Sequence, residues 1–177
     1  MSQAWPWIAG ALAVFWIVGL HNRLMRLRAV VFEASAVFER AMQALISVAR
    51  DAVSSSADAP SAIGAALLQA ALALELGLKT QKNPRRARLA SQAPVDLGAL
   101  WAHLQQAWLA YAVAVEGVCD PATLQALRAR WDAADAQGPL ARVAANQAIA
   151  DYQAALTQAP ASWVAGTMGF RAVAPLG

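Results

Sequence analysis

The feature that most constrains the fold is an apolar run near the start of the chain, followed by a charged stretch that contains nothing to interrupt a helix. Residues 4–20, AWPWIAGALAVFWIVGL, include no charged side chain and no polar one. His21 and several arginines follow, yet neither Pro nor Gly occurs between Leu20 and Arg40. A helix that begins in the apolar run is therefore predicted to continue well beyond it.

The apolar run predicts a transmembrane anchor. A helix over residues 4–20 rises about 25 Å, slightly less than the about 30 Å of a bilayer's hydrocarbon core. A cleaved signal peptide is the main alternative, but the chain lacks a basic start and VGLHNR is a poor cleavage site. Arginines follow the run and none precedes it, so the positive-inside rule places the N-terminus outside and the rest in the cytoplasm. The residues predicted to lie in or beside the membrane are Trp5, Trp7, Phe15, Trp16, Arg23, Arg26 and Arg28.

Beyond the anchor, the spacing of apolar residues predicts a series of packed helices. From Leu20 to Ala52 apolar or small residues recur at alternating intervals of four and three, which is a heptad seam. We expect Gly138-Pro139 to break or kink a later helix. The predicted helices run to about Val53 and then over residues 61–78, 96–118 with Asp96 as N-cap, 121–137 and 140–158.

Composition agrees with a helical protein that has few charges on its surface. The chain is 59% hydrophobic and 14% charged, against about 25% charged in ordinary soluble domains. We predict an all-α fold, with an N-terminal transmembrane helix that continues into an antiparallel bundle of about four long helices. The predicted division is an anchor at 1–20, a helical bundle domain at 21–172 and a C-terminal tail at 173–177.

The third helix carries so few polar side chains that part of its surface is expected to meet another subunit or protein. Its aromatic residues and the first-helix seam are the predicted contacts. The residues assigned to the seam and to assembly are Leu24, Leu27, Val31, Phe38, Leu45, Trp101, Trp108 and Tyr111.

Nothing in the sequence indicates catalysis or a bound cofactor. His21 and His103 stand in separate segments without a carboxylate three or four residues away, and Cys119 is the single cysteine, so no metal site is predicted. Asp132 and Asp135 share a helix face, where we interpret them as solvated carboxylates. We predict no catalytic residue, no cofactor and no small-molecule substrate.

A basic segment between the second and third helices has three interpretations. It is a solvated linker, a contact for anionic lipid headgroups, or a nucleic-acid tether, which is disfavoured because no aromatic stacking platform accompanies the charges. The residues concerned are Lys79, Lys82, Arg85, Arg86 and Arg88.

Two stretches of the chain resemble the LemA family of bacterial membrane-anchored proteins. HNRLMRLRAVVFEAS follows the apolar run as the family's conserved stretch follows its span, and ANQAIADYQAALTQAPASWVAGTMGF resembles the family's closing region. The chain departs from the family pattern at His21, Ser35, Gln153 and Ala159, lacks the family's basic cluster, and carries Gly138-Pro139 within a helix that is normally continuous. The positions that match include Asn22, Glu33, Asn146, Tyr152, Pro160, Gly169 and Phe170.

The resemblance implies a divergent member of the family, located in a bacterial inner membrane or a membrane derived from it. It implies an anchor followed by long helices. Relatives are associated with membrane-embedded proteases or with membrane organisation, including magnetosome-type membranes.

Three hypotheses for function follow. The first is a non-enzymatic scaffold that assembles with itself or organises membrane-associated proteins. The second is an adaptor or regulator of another membrane protein, such as a protease, and the third is a lipid or nucleic-acid tether through residues 79–88. The closing segment is interpreted as a strap on the bundle, with a membrane-surface or partner-binding element as the alternative.

Overall fold

The computed structural model describes residues 5–55, 61–82, 95–158, 170 and 172–176, and this part of the chain is almost entirely α-helical. Within it there is no β-strand, which confirms the predicted all-α class. The helices in chain order are α1 (Trp5–Ser55), α2 (Ser61–Lys82), α3 (Leu97–Ala114) and α4 (Pro121–Thr157).

Short polar residues start the last two helices. Asp96 caps α3, with its carboxylate accepting from the backbone N–H of Ala99 at 3.0 Å. Asp120 caps α4 in the same way, accepting from the backbone N–H of Thr123 at 2.9 Å. Pro121 then occupies the first helical position, where its missing N–H costs no hydrogen bond.

The chain divides into two compact units. One combines Met1–Ser35 with Val143–Pro175, and the other combines Ala36–Arg142 with Leu176–Gly177. Because α1 and α4 each supply a segment to both units, only α2 and α3 lie wholly within the second. The second unit therefore contains parts of all four helices.

Contacts within the second unit show that α1 and α3 run in the same direction. The rings of Phe38 and Trp101 meet edge to face at 6.4 Å. Further along both helices, the hydroxyl of Tyr111 donates to the carbonyl of Ala52 at 2.7 Å in a buried position. Residue numbers thus increase together along the two helices.

The other two helices run against α1, which gives an up-down-up-down four-helix bundle. Asp51 accepts from Arg130 of α4, whereas the earlier α1 residue Met42 meets Gly138, so α4 is antiparallel to α1. The contacts that α1 makes with α2, Arg50 with Glu75 and Val53 with Gly64, show the same relation for α2. Within the second unit the predicted antiparallel bundle is confirmed.

Each unit has a core of apolar side chains. The heptad seam of α1 lies inward along its length, with no seam residue from Leu20 to Ala52 exposed. Burying one large apolar side chain contributes about 1.5–3 kcal/mol. The largest fully buried side chains are Leu24, Ile149 and Tyr152 in the first unit, and Phe38, Met42, Leu45, Leu67, Leu74, Leu97, Leu104, Tyr111 and Val115 in the second.

The expected break at Gly138-Pro139 does not occur, because both residues lie inside α4. Proline removes one helical hydrogen bond here, the one that an N–H at position 139 would donate to the carbonyl of Asp135. Gly138 lies so close to Trp101 and Met42 that no larger residue fits there without a shift. Buried residues on both sides of the pair, among them Ala134 and Ala141, favour one continuous helix over the local preference of the Gly-Pro pair.

Two other predicted boundaries were wrong by about one turn. The third helix ends at Ala114 instead of continuing to 118, because Gly117 has a φ of 92° and the chain turns there. The second helix continues to Lys82, so Lys79 and Lys82 are helical instead of lying in a loop. The hydroxyl of Thr80 donates to the Leu76 carbonyl in this added turn.

Candidate membrane anchor and interaction surfaces

The start of α1 exposes large apolar side chains that nothing in the described structure covers. Trp7 is 81% exposed and Phe15 is 82% exposed. Arg23, Arg26 and Arg28 are exposed after this stretch, as a membrane boundary would require. Also exposed here are Ile8, Leu12, Val14, Trp16 and Val18.

Within the described residues, the one helix that is long and apolar enough to cross a membrane is Ala62–Gln81 of α2. The apolar run of α1 is shorter than the about 20 residues that a span normally uses. Length and hydropathy alone do not separate a span from a core helix. Leu67 and Leu74 of α2 are fully buried and the helix packs closely on α3, as a core helix does.

The residues assigned to the seam and to assembly lie inside the chain's own fold. Leu27 is half-buried and the other seven are buried: Leu24, Val31, Phe38, Leu45, Trp101, Trp108 and Tyr111. A second copy cannot reach side chains in the core. Any surface for self-association therefore has to lie on the exposed faces of the same helices.

Trp108 shows how these aromatic residues are used. Its ring stacks on Trp131 of α4, with centroids 4.4 Å apart and an interplanar angle of 7°. Such pairs contribute about 0.5–1.5 kcal/mol beyond the area that they bury. A charged residue at position 108 would disrupt this core, so such a variant would not report on contacts with a partner.

Asp135 has a role that the sequence did not reveal. Its carboxylate accepts from the indole N–H of Trp101 at 3.0 Å and from the amide of Gln105 at 2.8 Å. Asp132, by contrast, is exposed. The interpretation of both as solvated carboxylates is thus wrong for Asp135. Its position four residues after the apolar Trp131, on the same helix face, was the available signal.

The basic segment is only partly described. Lys79 donates to Glu75 at 2.6 Å, and Arg50 pairs with the same carboxylate. Hydrogen bonds from Lys79 and then Arg50 lower the pKa of the Glu75 carboxyl. The helical Lys82 follows. Arg85, Arg86 and Arg88 lie outside the described residues, so lipid contact by this segment stays a prediction.

The positions that match the LemA pattern are divided between surface and core. Asn22 and Glu33 are exposed, Asn146 is half-buried, and Tyr152 is buried, which raises the pKa of its hydroxyl. Pro160 and Gly169 lie outside the described residues.

The closing segment contacts the helices of the first unit. The ring of Phe170 meets that of His21 edge to face at 5.7 Å. The amide of Gln153 donates to the carbonyl of Val173 at 2.6 Å. Both contacts favour the interpretation of this segment as a strap.

The exposed faces of α2 and α3 each carry a second set of residues at heptad spacing. We name these sets the outer seams. None of their side chains is charged. The outer seam of α2 is Ala62, Ala65, Gln69, Leu72 and Leu76, and that of α3 is Ala99, Ala102, Gln106, Leu109 and Val113; all ten residues are exposed.

Among the described residues, no group of three or more His, Cys, Asp or Glu side chains is arranged to hold a metal ion. Cys119 is half-buried in an open groove that Glu116 and Arg128 also line.

Comparisons with family models, with curated proteins and with solved structures found no match to this chain.

Proposed function

We propose that this protein is a non-enzymatic, membrane-anchored helical scaffold that assembles with itself. The observation that carries the proposal is the uncharged, exposed apolar surface of α1 between Trp7 and Val18. The same helix continues without interruption to Ser55. One continuous helix would thus serve as both the anchor and the first helix of the bundle.

The bilayer is the environment in which this surface is stable. In water each exposed large apolar side chain forgoes about 1.5–3 kcal/mol of burial. Contact of the same surface with lipid is favourable, and the helix satisfies its own backbone hydrogen bonds. The arginines that follow have long aliphatic stems, so their guanidinium groups can reach the headgroups.

The proposed topology is a single span with the N-terminus outside and the bundle in the cytoplasm of a bacterial cell. The exposed Arg23, Arg26 and Arg28 support this orientation by the positive-inside rule. Membership of the LemA family stays a prediction and would place the protein in the inner membrane or a membrane derived from it.

The test places two charges in the anchor of the full-length protein. Leu12→Arg with Phe15→Arg puts charges near the middle of the run, where each costs about 2.5–3.5 kcal/mol of insertion. We expect this variant to leave the membrane fraction that resists alkaline carbonate.

The matched control is Leu140→Arg with Val143→Arg on α4. These residues have the same three-residue separation and are similarly exposed. The control variant should remain in the membrane fraction. Carbonate extraction of the wild-type chain, or full retention of the anchor variant, would overturn the anchor. A protease-accessible C-terminal tag in intact cells would overturn the orientation.

A further inference from the structure

We infer that the outer seams of α2 and α3 together form a symmetric interface between two copies of this chain. The inference rests on the proposed self-assembly and specifies its surface. It starts from the heptad spacing of the two seams, because a helix presents such spacing to a neighbouring helix. Each helix already uses another stripe for the core of the bundle.

The charge distribution of the second unit favours a second copy as the occupant. Neither α2 from Ser61 to Leu74 nor the whole of α3 contains Asp, Glu, Lys or Arg. A charged partner would have to desolvate its charges against this face without gaining an ion pair. An equally uncharged face is the complementary one, and the outer seams themselves supply it. By contrast, α1 and α4 carry Glu39, Arg40, Arg50, Asp51, Arg128, Arg130, Asp132 and Asp135 in this unit.

The two outer seams also have the same order of residue sizes. Each seam reads small, small, Gln, Leu and then a second aliphatic residue. Since α2 is antiparallel to α1 and α3 is parallel to it, α2 and α3 run in opposite directions. Gly77 meets Leu97 and Leu100, which sets their register. In that register Gln69 lies level with Gln106.

The combined surface of the two outer seams therefore has four quadrants, in which small side chains alternate with large ones. Ala62 and Ala65 lie beside Leu109 and Val113 at one end. At the other end the order is reversed, with the leucines on α2 and the alanines on α3. A two-fold axis that lies in the plane of the interface, parallel or perpendicular to the helices, places the large residues of each copy against the small residues of the other. Interlocking of large and small side chains is what close helix packing requires.

Membrane anchoring makes a modest interface sufficient. Confinement to one membrane raises the effective concentration of the partners. The two glutamines near the axis could exchange hydrogen bonds across it, which would fix the register of the pair.

The test uses the full-length protein in mild detergent, with native mass measured by light scattering. Leu109→Glu with Val113→Glu places two charges in the outer seam of α3, at residues that are 64% and 69% exposed. Burying unpaired carboxylates should weaken dimerisation by at least about 100-fold. The control is Leu140→Glu with Val143→Glu on α4, whose exposed fractions are 76% and 69%.

Three results are distinguishable. A dimeric wild type and control with a monomeric, folded Leu109→Glu/Val113→Glu variant supports the interface. If that variant remains dimeric, the outer seams are not the interface, although the scaffold proposal stands. A monomeric wild type overturns the interface and self-assembly together, while carbonate extraction still reports separately on the anchor.

Cross-linking in membranes tests the same geometry without a risk to folding. In a chain with Cys119→Ser, Cys is introduced at Gln69, at Gln106, or at the exposed control Gln137 of α4. We expect oxidation to give disulfide-linked dimers. They form within a single variant, Cys at 69 or Cys at 106, if each glutamine faces its own copy, or only when the two variants are mixed if Gln69 faces Gln106. Cysteines at 137 should not cross-link. Equal cross-linking at all three positions, or none at 69 and 106, would contradict the proposed interface.

Discussion

Replacement of Gly138 by Ala is expected to destabilise the protein, although Ala is the better helix former. In an open helical position this substitution stabilises by about 1 kcal/mol. At Gly138, however, a Cβ atom would lie 2.6 and 2.7 Å from two atoms of the Trp101 ring and 3.0 Å from the Met42 methyl. The ring cannot move away easily, since it is buried and its N–H is bound to Asp135.

The magnitude follows from these opposing contributions. Overpacking a core costs about 1–3 kcal/mol. Except at the lower end of that range, this cost exceeds the gain of about 1 kcal/mol in helix propensity. Contacts of 2.6 and 2.7 Å with a buried ring place the cost in the upper part of that range, about 2–3 kcal/mol, so we expect a net loss of about 1–2 kcal/mol in the free energy of unfolding. For a chain of this size each kcal/mol corresponds to about 2–4 °C in Tm. Circular dichroism during thermal unfolding in detergent measures the change.

Gly64 provides the matched control, because it is also a helical glycine. A Cβ there would lie 3.5 Å from the Val53 side chain, an ordinary contact. Gly64→Ala should therefore stabilise by up to about 1 kcal/mol. Stabilisation by Gly138→Ala of the same size would refute the packing argument. A double-mutant cycle with Trp101→Leu should remove most of the cost of Gly138→Ala.

Two further predictions concern α4. Pro139→Ala restores an N–H that can bond to the Asp135 carbonyl, so we expect a Tm increase equivalent to about 1–3 kcal/mol; an unchanged or lower Tm would contradict this account. Hydrogen bonds from the backbone and side chain of Thr123 lower the pKa of the Asp120 carboxyl. The stabilisation by this cap is therefore present above the carboxyl's ordinary pKa and lost as the pH falls through the lowered one. Asp120→Ala should lower Tm at pH 6, with the difference shrinking as the pH falls below the carboxyl's ordinary pKa; a difference independent of pH would contradict the linkage.

Periodicity in the sequence was sufficient to predict the buried side of α1. The α1 seam was predicted from spacing alone, and in the structure its residues turn inward from Leu20 to Ala52. Asp96 was likewise predicted as an N-cap, because capping depends on residues that are close in the sequence. Such local features need no knowledge of which helix is the neighbour.

The misinterpreted residues all depend on partners that are distant in the sequence. Asp135 resembled a solvated carboxylate until Trp101 and Gln105 of another helix were placed beside it. Trp108 suggested a surface for a partner, yet Trp131 covers it. A largely apolar helix has several apolar faces, and its composition does not specify which of them are buried against the chain's own helices.

By itself, the sequence determined the helical class, the positions at which the four helices begin, the inward seam of α1 and the uncharged run at its start. These properties follow from residue spacing, capping and the absence of helix breakers over short stretches. Only the tertiary structure decided that α4 continues through Pro139, that the aromatic residues of α3 are core, and that the two outer seams remain exposed. The physical reason is that burial is a property of pairs of helices, whereas residue spacing and capping are properties of one short stretch of sequence.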